Sequence, residues 1–414
     1  MAKFLFTMLL SNDLGLPTRL LPIARELADR GHNVAVFNPA PAPAALIAQA
    51  GLPNLSAPPI PPPKVKLDQM GLGWEVEDSL SVLYADEESV RAGAAVYLEV
   101  IRNFGPDVVV DSFGVLACLA ARILGLPLVS VLQGNFHPSG RFVWWEEARS
   151  TEPPGSPSAI NKVARENGAA PVERCVDLLA GDLSLIVGTP ETDPLPASAR
   201  VTYIGPILWR SADEALPEWL CSLGTDRPVI WVYSGNPRYF RVPTRLDSVV
   251  VIRATVAALA LAPVNVVLTT GYQALPLEFS ALPPNFYHAA YLPGLAMAQR
   301  SDLMIHHGGH SSVMTELFVG TPAVIIPTTR ERESNARRVA SLGAGEVLVP
   351  GESDDGEKQL DAALLARTVR RVLDDPSYRR AAHRIASSMR EYGGVQAAAD
   401  HITHFAGTGP RVRG

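Results

Sequence analysis

The sequence predicts an α/β protein of two domains, each built on a parallel β-sheet with helices on both faces. Three observations carry this prediction. The chain has 414 residues, too many for one ordinary core. Short, continuously apolar runs alternate with helical patterns along both halves of the chain. The strand pattern stops between the halves, around residues 205–227. We therefore expect two Rossmann-like, doubly wound domains that face each other across a cleft.

The first half begins with an apolar strand at residues 4–10 and a helix at 20–30. The N-terminus superficially resembles a signal peptide, but its short apolar run lacks a small-residue cleavage site, so a strand is expected. Residues 67–95 and 136–158 are interpreted as long loops at the rim of the sheet. The further predicted strands of this half are 33–38, 107–111, 127–132, 183–187 and 202–204.

The second half repeats the pattern and ends in helices with Ala-rich and Arg-rich faces at residues 361–406. Its predicted strands are 229–233, 264–269, 303–306, 323–327 and 345–349. The predicted division of the chain is a first domain at 1–208, a linker at 209–227, a second domain at 228–390 and a C-terminal helix at 391–414 that returns to the first domain.

Composition excludes several classes of protein. The net charge of -6 argues against a nucleic-acid surface. No run of 18 apolar residues occurs, so neither a transmembrane helix nor stable membrane insertion is expected. Cys118, Cys175 and Cys221 lie far apart and in no metal-like spacing, which is typical of reduced thiols in a cytoplasmic protein.

A Gly-rich turn follows the strand at residues 303–306 and precedes a helix. The exposed N–H groups of a helix N-terminus favour an anion, and Gly308 and Gly309 let the backbone approach it closely. His307 is expected to donate to a phosphate oxygen, and Ser311 and Ser312 to cap the helix or touch the phosphate. An ordinary tight turn is the competing interpretation of the two glycines.

Two neighbouring features bear on this turn. Gly235 and Asn236 follow the strand at 229–233 and are expected at the same edge of the sheet. Three histidines, His306, His307 and His310, cluster at the turn, but adjacent strand-end residues point apart and no acid is spaced to join them. No metal site is therefore expected.

The second half resembles the nucleotide-sugar signature of family 1 glycosyltransferases, the inverting GT-B enzymes that modify natural products. The segments that carry the resemblance are 291–293, 306–312, 320–322, Pro327 and 331–345. The resemblance implies the GT-B fold, a first domain that binds an acceptor and a second domain that binds a nucleotide sugar. It implies no cofactor beyond a UDP- or dTDP-linked co-substrate and no metal.

Carried onto this sequence, the resemblance assigns the donor contacts. The implied donor-binding residues are Gly235, Asn236, Tyr291, Leu292, His307, Gly308, Gly309, Ser311, Ser312, Glu331 and Arg332. Glu331 falls where the family often holds sugar hydroxyls, whereas Arg332 stands where many members have Gln. Thr315 stands where many members place a Glu on the ribose, and the acid here is one residue later, at Glu316. The competing interpretation of Glu331 and Arg332 is a solvated charged loop.

The expected catalytic histidine is missing. The family places a base His soon after the first strand, and this sequence has Leu16 there. Three explanations remain open: Asp13 is the base, Asp111 acts alone or holds a water, or the acceptor is acidic or nitrogenous enough to need little help. Both aspartates have a competing role as turn or helix caps.

Acceptor contacts are predicted mainly in the rim segments. Aromatic side chains there suit an apolar pocket, although aromatic residues are also common in cores. The predicted contacts are Asn12, Trp74, His137, Phe142 and Trp144.

The sequence thus predicts an inverting hexosyltransferase that joins a nucleotide sugar to a small, mostly apolar acceptor. A sugar-nucleotide epimerase and a non-catalytic homologue that activates a partner enzyme are the alternatives. The sequence leaves the oligomeric state open, a homodimer included.

Overall fold

The computed structural model describes residues 1–62, 64, 73, 75–143, 156–210, 215–224, 226–238, 246–353 and 356–408. The chain divides into two compact units. Unit 1 comprises Met1–Phe142, Ala148–Ile207 and Tyr392–Gly414, and unit 2 comprises Val143–Glu147 and Leu208–Glu391.

Unit 1 contains a six-stranded parallel sheet with the order β2-β1-β3-β4-β5-β6. Its strands are β1 (Lys3–Met8), β2 (Asn33–Phe37), β3 (Val108–Ser112), β4 (Leu128–Leu132), β5 (Leu183–Ile186) and β6 (Thr202–Tyr203). Its first helices are α1 (Gly15–Asp29), α2 (Pro41–Gln49), α3 (Val76–Leu83), α4 (Glu87–Phe104), α5 (Val115–Ile123) and α6 (Ser158–Glu166). Short 3₁₀ turns occur at Gly134–Phe136 and Cys175–Leu179. β1, β3 and β4 are almost entirely buried, as expected of parallel strands covered on both faces.

Unit 2 contains a second six-stranded parallel sheet, with the order β12-β11-β10-β7-β8-β9. Its strands are β7 (Val229–Tyr233), β8 (Asn265–Thr269), β9 (Phe286–Ala289), β10 (Leu303–His306), β11 (Ala323–Ile325) and β12 (Gly345–Val347). A separate antiparallel hairpin pairs β13 (Gly351–Glu352) with β14 (Lys358–Gln359). Its helices are α7 (Glu218–Cys221), α8 (Val249–Leu259), α9 (Gly294–Arg300), α10 (His310–Val319), α11 (Arg330–Ser341), α12 (Ala362–Asp374) and α13 (Pro376–Met389). A 3₁₀ turn lies at Leu277–Phe279.

The last helix, α14 (Gly394–Thr408), belongs to unit 1, although the chain enters it from unit 2. It packs against α1, and Ile402 on its inner face is fully buried. Arg30 at the end of α1 bonds Asp400 at 2.5 Å, and the Gly394 N–H donates to the Ile204 carbonyl at 2.7 Å. These contacts fasten α14 to α1 and to the residue that follows β6.

The interpretation of residues 67–95 as a long loop is wrong over most of the described part of that segment. α3 and α4 occupy it, and both start on acidic caps: Glu75 and Asp78 form a capping box, and the Asp86 side chain accepts from the Ser89 N–H. α4 ends at Gly105, which adopts the left-handed conformation typical of a helix stop. The capping residues were visible in the sequence, but the scattered aromatic and acidic residues obscured the helical period.

Strand register brings chemistry-bearing residues to the carboxyl edge of each sheet. In unit 1, Thr7 on β1 lies opposite Asp111 on β3. In unit 2, His306 at the end of β10 lies opposite Tyr233 on β7 and Ile325 on β11. The loops that follow β7, β10 and β11 therefore converge at one edge, where ligands bind in open α/β sheets.

Candidate active site

The turn between β10 and α10 presents an uncapped helix N-terminus. The N-cap residue of α10 is Gly309, which has no side chain that can bond the first-turn N–H groups. Gly308 has φ +88°, and a Cβ added there would lie 2.7 Å from the Arg332 carbonyl oxygen, so glycine is required. Ser311 and the buried Ser312 stand in the first turn. Free N–H groups at a helix start make an anion site.

The His307 imidazole is buried and held between two glycines. A Cβ on Gly235 would lie 2.8 Å from His307 Cε1, and a Cβ on Gly309 would lie 2.7 Å from Nε2. His307 Nδ1 lies 3.5 Å from the Tyr233 carbonyl oxygen, and its ring meets the Tyr233 ring edge-on. Burial, and after it the proximity of the Arg332 guanidinium and the His306 ring, lowers the pKa of His307 well below 6.5. The ring is therefore neutral at pH 7 and fixed in place.

The loop after β7 forms the other side of this clamp. Gly235 has φ +65°, a conformation that side chains rarely adopt. Asn236 is half-buried, and its Oδ1 accepts from the Arg238 N–H at 3.2 Å, which closes the loop locally. Gly235 and His307 thus come together, as the resemblance implies, while the Asn236 oxygen is used within its own loop.

The start of α11 joins the Gly-rich turn through Asn335. Its Nδ2 donates both to the Gly308 carbonyl at 3.0 Å and to Glu331 Oε1 at 2.8 Å. Glu331 is half-buried and oriented by this amide. The structure therefore links Glu331 to the turn through Asn335.

Arg332 is buried beside the same turn. Its guanidinium donates to Thr328 Oγ1 at 2.5 Å and to Ser248 Oγ at 3.2 Å. Thr328 follows β11, and Ser248 is the N-cap residue of α8. The interpretation of Arg332 as part of a solvated loop is wrong, because it is 9% exposed and bonded to two neighbouring elements.

The acidic residue on α10 is an internal group. Glu316 is completely buried, and its Oε2 lies 2.6 Å from His306 Nε2. Thr315, one residue earlier, donates its hydroxyl to the Ser311 carbonyl at 2.9 Å. Glu316 therefore does not stand in for the ribose-binding acid that many family members have at position 315.

Two tyrosines stack beside the loops that follow β8 and β9. The rings of Tyr272 and Tyr291 lie 4.3 Å apart and nearly parallel, at 9°. The Tyr272 N–H donates to the Ala290 carbonyl at 2.8 Å, and its φ of 67° is unusual for a bulky residue. Leu292 is buried behind them. This stack offers a flat aromatic surface at the same sheet edge.

Asp111 in unit 1 is buried and surrounded by donors. Its carboxylate accepts from Thr7 Oγ1 at 2.7 Å, from the Gly114 N–H at 2.7 Å and from Cys118 Sγ at 3.4 Å. Burial raises the pKa of Asp111 from 3.8 to about 6, against the opposite effect of these three bonds. Because it is 1% exposed, Asp111 is poorly placed to touch an acceptor directly.

Asn12 and Asp13 lie at the exposed end of β1 and both act as caps. Asp13 Oδ1 accepts from the Gly15 N–H at 2.7 Å, at the start of α1. Asn12 Oδ1 accepts from the Ala42 N–H at 2.9 Å, in the first turn of α2. Leu16 is half-buried on α1. The expected capping role is present in both residues, while Asp13 remains solvent-exposed.

Of the predicted acceptor residues in the rim segments, two are described. His137 is buried, and its Nδ1 accepts from the Ser139 N–H at 3.1 Å, so its proton lies on Nε2. Burial lowers the pKa of His137, which keeps it neutral. Phe142 is buried, and its N–H donates to Glu75 Oε2 at 3.4 Å. Trp74 and Trp144 lie outside the described residues.

Residues 253–394 match the family model of the erythromycin biosynthesis protein CIII-like C-terminal domain. A PGL/p-HBAD biosynthesis glycosyltransferase of Mycobacterium tuberculosis is 26% identical over 330 residues, covering 74% of this chain and 72% of that protein. The demethyllactenocin mycarosyltransferase of Streptomyces fradiae is 30% identical over 207 residues, covering 50% and 39%.

Solved structures share the whole fold at low identity. The spinosyn forosaminyltransferase SpnP superposes with a TM-score of 0.69 at 20% identity, covering 98% of this chain and 99% of that one. The glycosyltransferase VinC, in complex with dTDP, gives 0.72 at 20% identity, covering 98% and 100%.

The chain is a glycosyltransferase with the GT-B fold. Its resemblance to the natural-product enzymes is confirmed, and so is the prediction of two parallel-sheet α/β domains. The segments that carry the nucleotide-sugar resemblance lie around the strand ends of unit 2, and the two candidate base residues lie in unit 1, Asp13 after β1 and Asp111 near the end of β3.

Sequence reasoning assigned no role to several residues that hold these side chains. Asn335 was part of the quoted motif, and its position one turn after Glu331 was the signal for its bond to that residue. Thr7, Cys118 and Ser248 were missed because their contacts depend on strand register and helix packing. No described helix of the glycosyltransferase is both long and apolar enough to cross a membrane. Within the described part of the chain, no cluster of three His, Cys, Asp or Glu residues is suited to a metal.

Proposed function

We propose that this glycosyltransferase transfers a sugar, with inversion, from a UDP- or dTDP-linked donor to a small, mostly apolar natural-product acceptor. The observation that carries the proposal is the uncapped start of α10 next to His307, which Gly235 and Gly309 hold in place. A diphosphate at this turn would meet a helix N-terminus that no N-cap side chain bonds, and with it the positive end of the helix. The reaction we propose is cytoplasmic and uses no metal or other cofactor.

The names of similar proteins support the proposed classes of donor and acceptor. SpnP is named a forosaminyltransferase, the Streptomyces fradiae relative a mycarosyltransferase, and VinC is described with dTDP. Each name refers to the sugar or ligand of the protein that carries it. They favour a sugar nucleotide as the donor here and a natural product as the acceptor.

Contacts on α10 support a donor site in which no carboxylate of this helix accepts a hydrogen bond from the ribose 2′-hydroxyl. Glu316 faces the interior and is bonded to His306, while the Thr315 hydroxyl is bonded to the Ser311 carbonyl. Neither side chain is arranged to accept hydrogen bonds from two ribose hydroxyls. We therefore propose that UDP- and dTDP-linked sugars both enter the site, with the Tyr272–Tyr291 stack beside the base.

For the chemistry, we propose Asp13 as the group that takes the acceptor proton. The acceptor oxygen would attack the anomeric carbon from the face opposite the nucleotide, and the departing diphosphate would be stabilised by the N–H groups of α10. Asp13 is exposed, whereas Asp111 is buried and already holds three donors. Asp111 then positions β1 and β3 beneath the acceptor, with His137 and Phe142 as proposed acceptor contacts.

The test is hydrolysis of a sugar nucleotide in the absence of any acceptor. Purified protein is incubated with UDP-glucose and, separately, dTDP-glucose, and released nucleotide is followed by chromatography. Slow release that disappears in His307→Ala supports a catalytic donor site. Tight nucleotide binding with no release, even with acceptors present, would favour the non-catalytic activator. Epimerised sugar nucleotide as the product would favour the epimerase.

A further inference from the structure

The buried side chains of His306 and Glu316 form a hydrogen-bonded pair that the proposed reaction does not use. Both side chains are 0% exposed, and they join the end of β10 to the second turn of α10 at 2.6 Å. These two elements flank the Gly-rich turn. The pair therefore lies directly behind the backbone that is proposed to bind the diphosphate.

The hydrogen bonds of His306 determine where its proton lies. Nδ1 accepts from the Gly308 N–H at 3.0 Å, so Nδ1 carries no proton. The ring proton is therefore on Nε2, which donates to Glu316 Oε2. By fixing this tautomer, the Glu316 carboxylate keeps Nδ1 unprotonated and therefore able to accept a hydrogen bond.

Gly308 is the residue on which this arrangement acts. Its φ of +88° and its packing against the Arg332 carbonyl fix the left-handed corner of the turn. The bond from the Gly308 N–H to His306 points this amide inward, away from the ligand side. The backbone that leads from Gly308 into the first turn of α10 is thereby held in one orientation.

The burial of the Glu316 carboxylate is energetically unfavourable, and packing alone does not explain why an acid is found at this position. Its Oε1 is buried and has no hydrogen-bond partner among the described residues. Burial also raises the pKa of Glu316. An apolar side chain would avoid both penalties at this position. The Nε2–H group of His306 needs a hydrogen-bond acceptor, and Glu316 supplies it. This requirement accounts for an acid at position 316.

We propose that Glu316 is a positioning residue for donor binding: through the fixed tautomer of His306 it holds the Gly308 turn in the conformation that receives a nucleotide diphosphate. The inference rests on the proposed function, since it assigns the purpose of the turn. Glu316 touches no ligand in this scheme and acts only through His306.

The experiment compares three single variants of the full chain by calorimetric titration with UDP and with dTDP. Glu316→Leu removes the acceptor and is expected to weaken binding roughly tenfold, comparable to one misaligned hydrogen bond to a charged group. Glu316→Gln keeps a carbonyl acceptor for Nε2–H and is expected to bind like the native protein. Thr255→Val is the control, because it removes a buried hydroxyl of α8 that bonds only the Val251 carbonyl.

A double variant separates positioning from general loss of packing. In His306→Asn the shorter side chain can accept from the Gly308 N–H as an Asx turn does, independently of Glu316. Adding Glu316→Leu to His306→Asn is then expected to cost no further nucleotide affinity. An equal loss from Glu316→Leu in both backgrounds would overturn the inference.

A readout without nucleotide keeps this test separate from the proposed function. Amide hydrogen exchange of Gly308, followed by NMR on ¹⁵N-glycine-labelled protein, is expected to accelerate in Glu316→Leu and to remain slow in Glu316→Gln. Unchanged Gly308 exchange in Glu316→Leu would overturn the inference. Native protein that binds neither nucleotide would instead overturn the proposed function, while the exchange result still decides whether Glu316 holds the turn.

Discussion

Asp13 has an observed capping role and a proposed role as the base, and its residue type permits both. Its Oδ1 holds the Gly15 N–H at the start of α1, and its carboxylate is exposed to solvent. Capping and proton transfer use different properties of the carboxylate, because an amide can cap equally well but cannot accept a proton. This difference makes the proposed base testable without disturbing the fold.

Asp13→Asn is expected to lower turnover with an alcohol acceptor by at least about tenfold, within the range for general bases. The Asn side chain keeps an oxygen for the Gly15 N–H, so α1 should start as before. The measurement is the initial rate at saturating donor, with Asp13→Ala as the variant that loses both cap and base. A native rate in Asp13→Asn would transfer the role to another group or to the acceptor itself.

Asp111 gives the protein a pH-dependent stability term. Its pKa is raised from 3.8 to about 6 in the folded state, chiefly by burial. The folded protein therefore holds this proton more tightly than the unfolded chain does. Stability associated with Asp111 is fully present below pH 4 and is lost as the pH rises towards and through 6.

Asp111→Asn does not titrate, keeps an oxygen that accepts from the Gly114 N–H, and places an amide NH2 that can donate to the Thr7 hydroxyl. Relative to this variant, the native protein is expected to lose about 2 kcal/mol of unfolding free energy between pH 4 and pH 7. Urea unfolding of both proteins at several pH values measures the difference. A difference that does not change with pH would contradict the buried, proton-binding state of Asp111.

Individual side chains were harder to predict than the motif that contains them. The sequence placed His307 and Gly308 at an anion-binding turn, and the structure puts His307 between two glycines. It could not show that Glu316 points inward, because the direction of a helical side chain depends on the packing of the helix. Thr7 lacked any motif, and only strand register places it on Asp111.

At the scale of elements, apolar runs located the long central strands well. The predicted strands at residues 229–233 and 303–306 have the observed bounds, and the other predicted strands differ by one to a few residues at their ends. β9 was missed, because only Phe286 among its four residues is buried and the edge strand shows no apolar run. The α3–α4 region was missed because scattered aromatic and acidic residues obscure its helical period.

α14 packs against α1 in unit 1, and its contacts can be tested with single substitutions. Ile402 is fully buried on its inner face. Ile402→Ala is expected to lower the free energy of unfolding of unit 1 by about 2–5 kcal/mol, the usual cost of truncating a buried Ile. Denaturant unfolding measures the loss. His401→Ala, at an exposed position of the same helix, is the control and should change stability little. Equal effects from both variants would contradict the packing of α14 on α1.

At the scale of the whole molecule, both units repeat one plan: a six-stranded parallel sheet whose strand-end loops carry the polar residues. This plan was predictable because parallel strands buried on both faces leave long apolar runs in the sequence. The helix starts and polar side chains at these strand ends nevertheless differ between the two units. Unit 2 offers an uncapped helix and a fixed imidazole, whereas unit 1 offers capped helices and a buried carboxylate.

The most direct test of the central claim is calorimetric titration of UDP and dTDP into the native protein and Gly309→Ala. The added Cβ would lie 2.7 Å from His307 Nε2, so the ring must shift from its position beside the turn. Gly351→Ala, whose Cβ meets nothing within 4 Å, is the matched control. We expect both nucleotides to bind the native and control proteins, and Gly309→Ala to bind them at least about tenfold more weakly. Native protein that binds neither nucleotide, or Gly309→Ala that binds as tightly as the control, would contradict a diphosphate site at this turn.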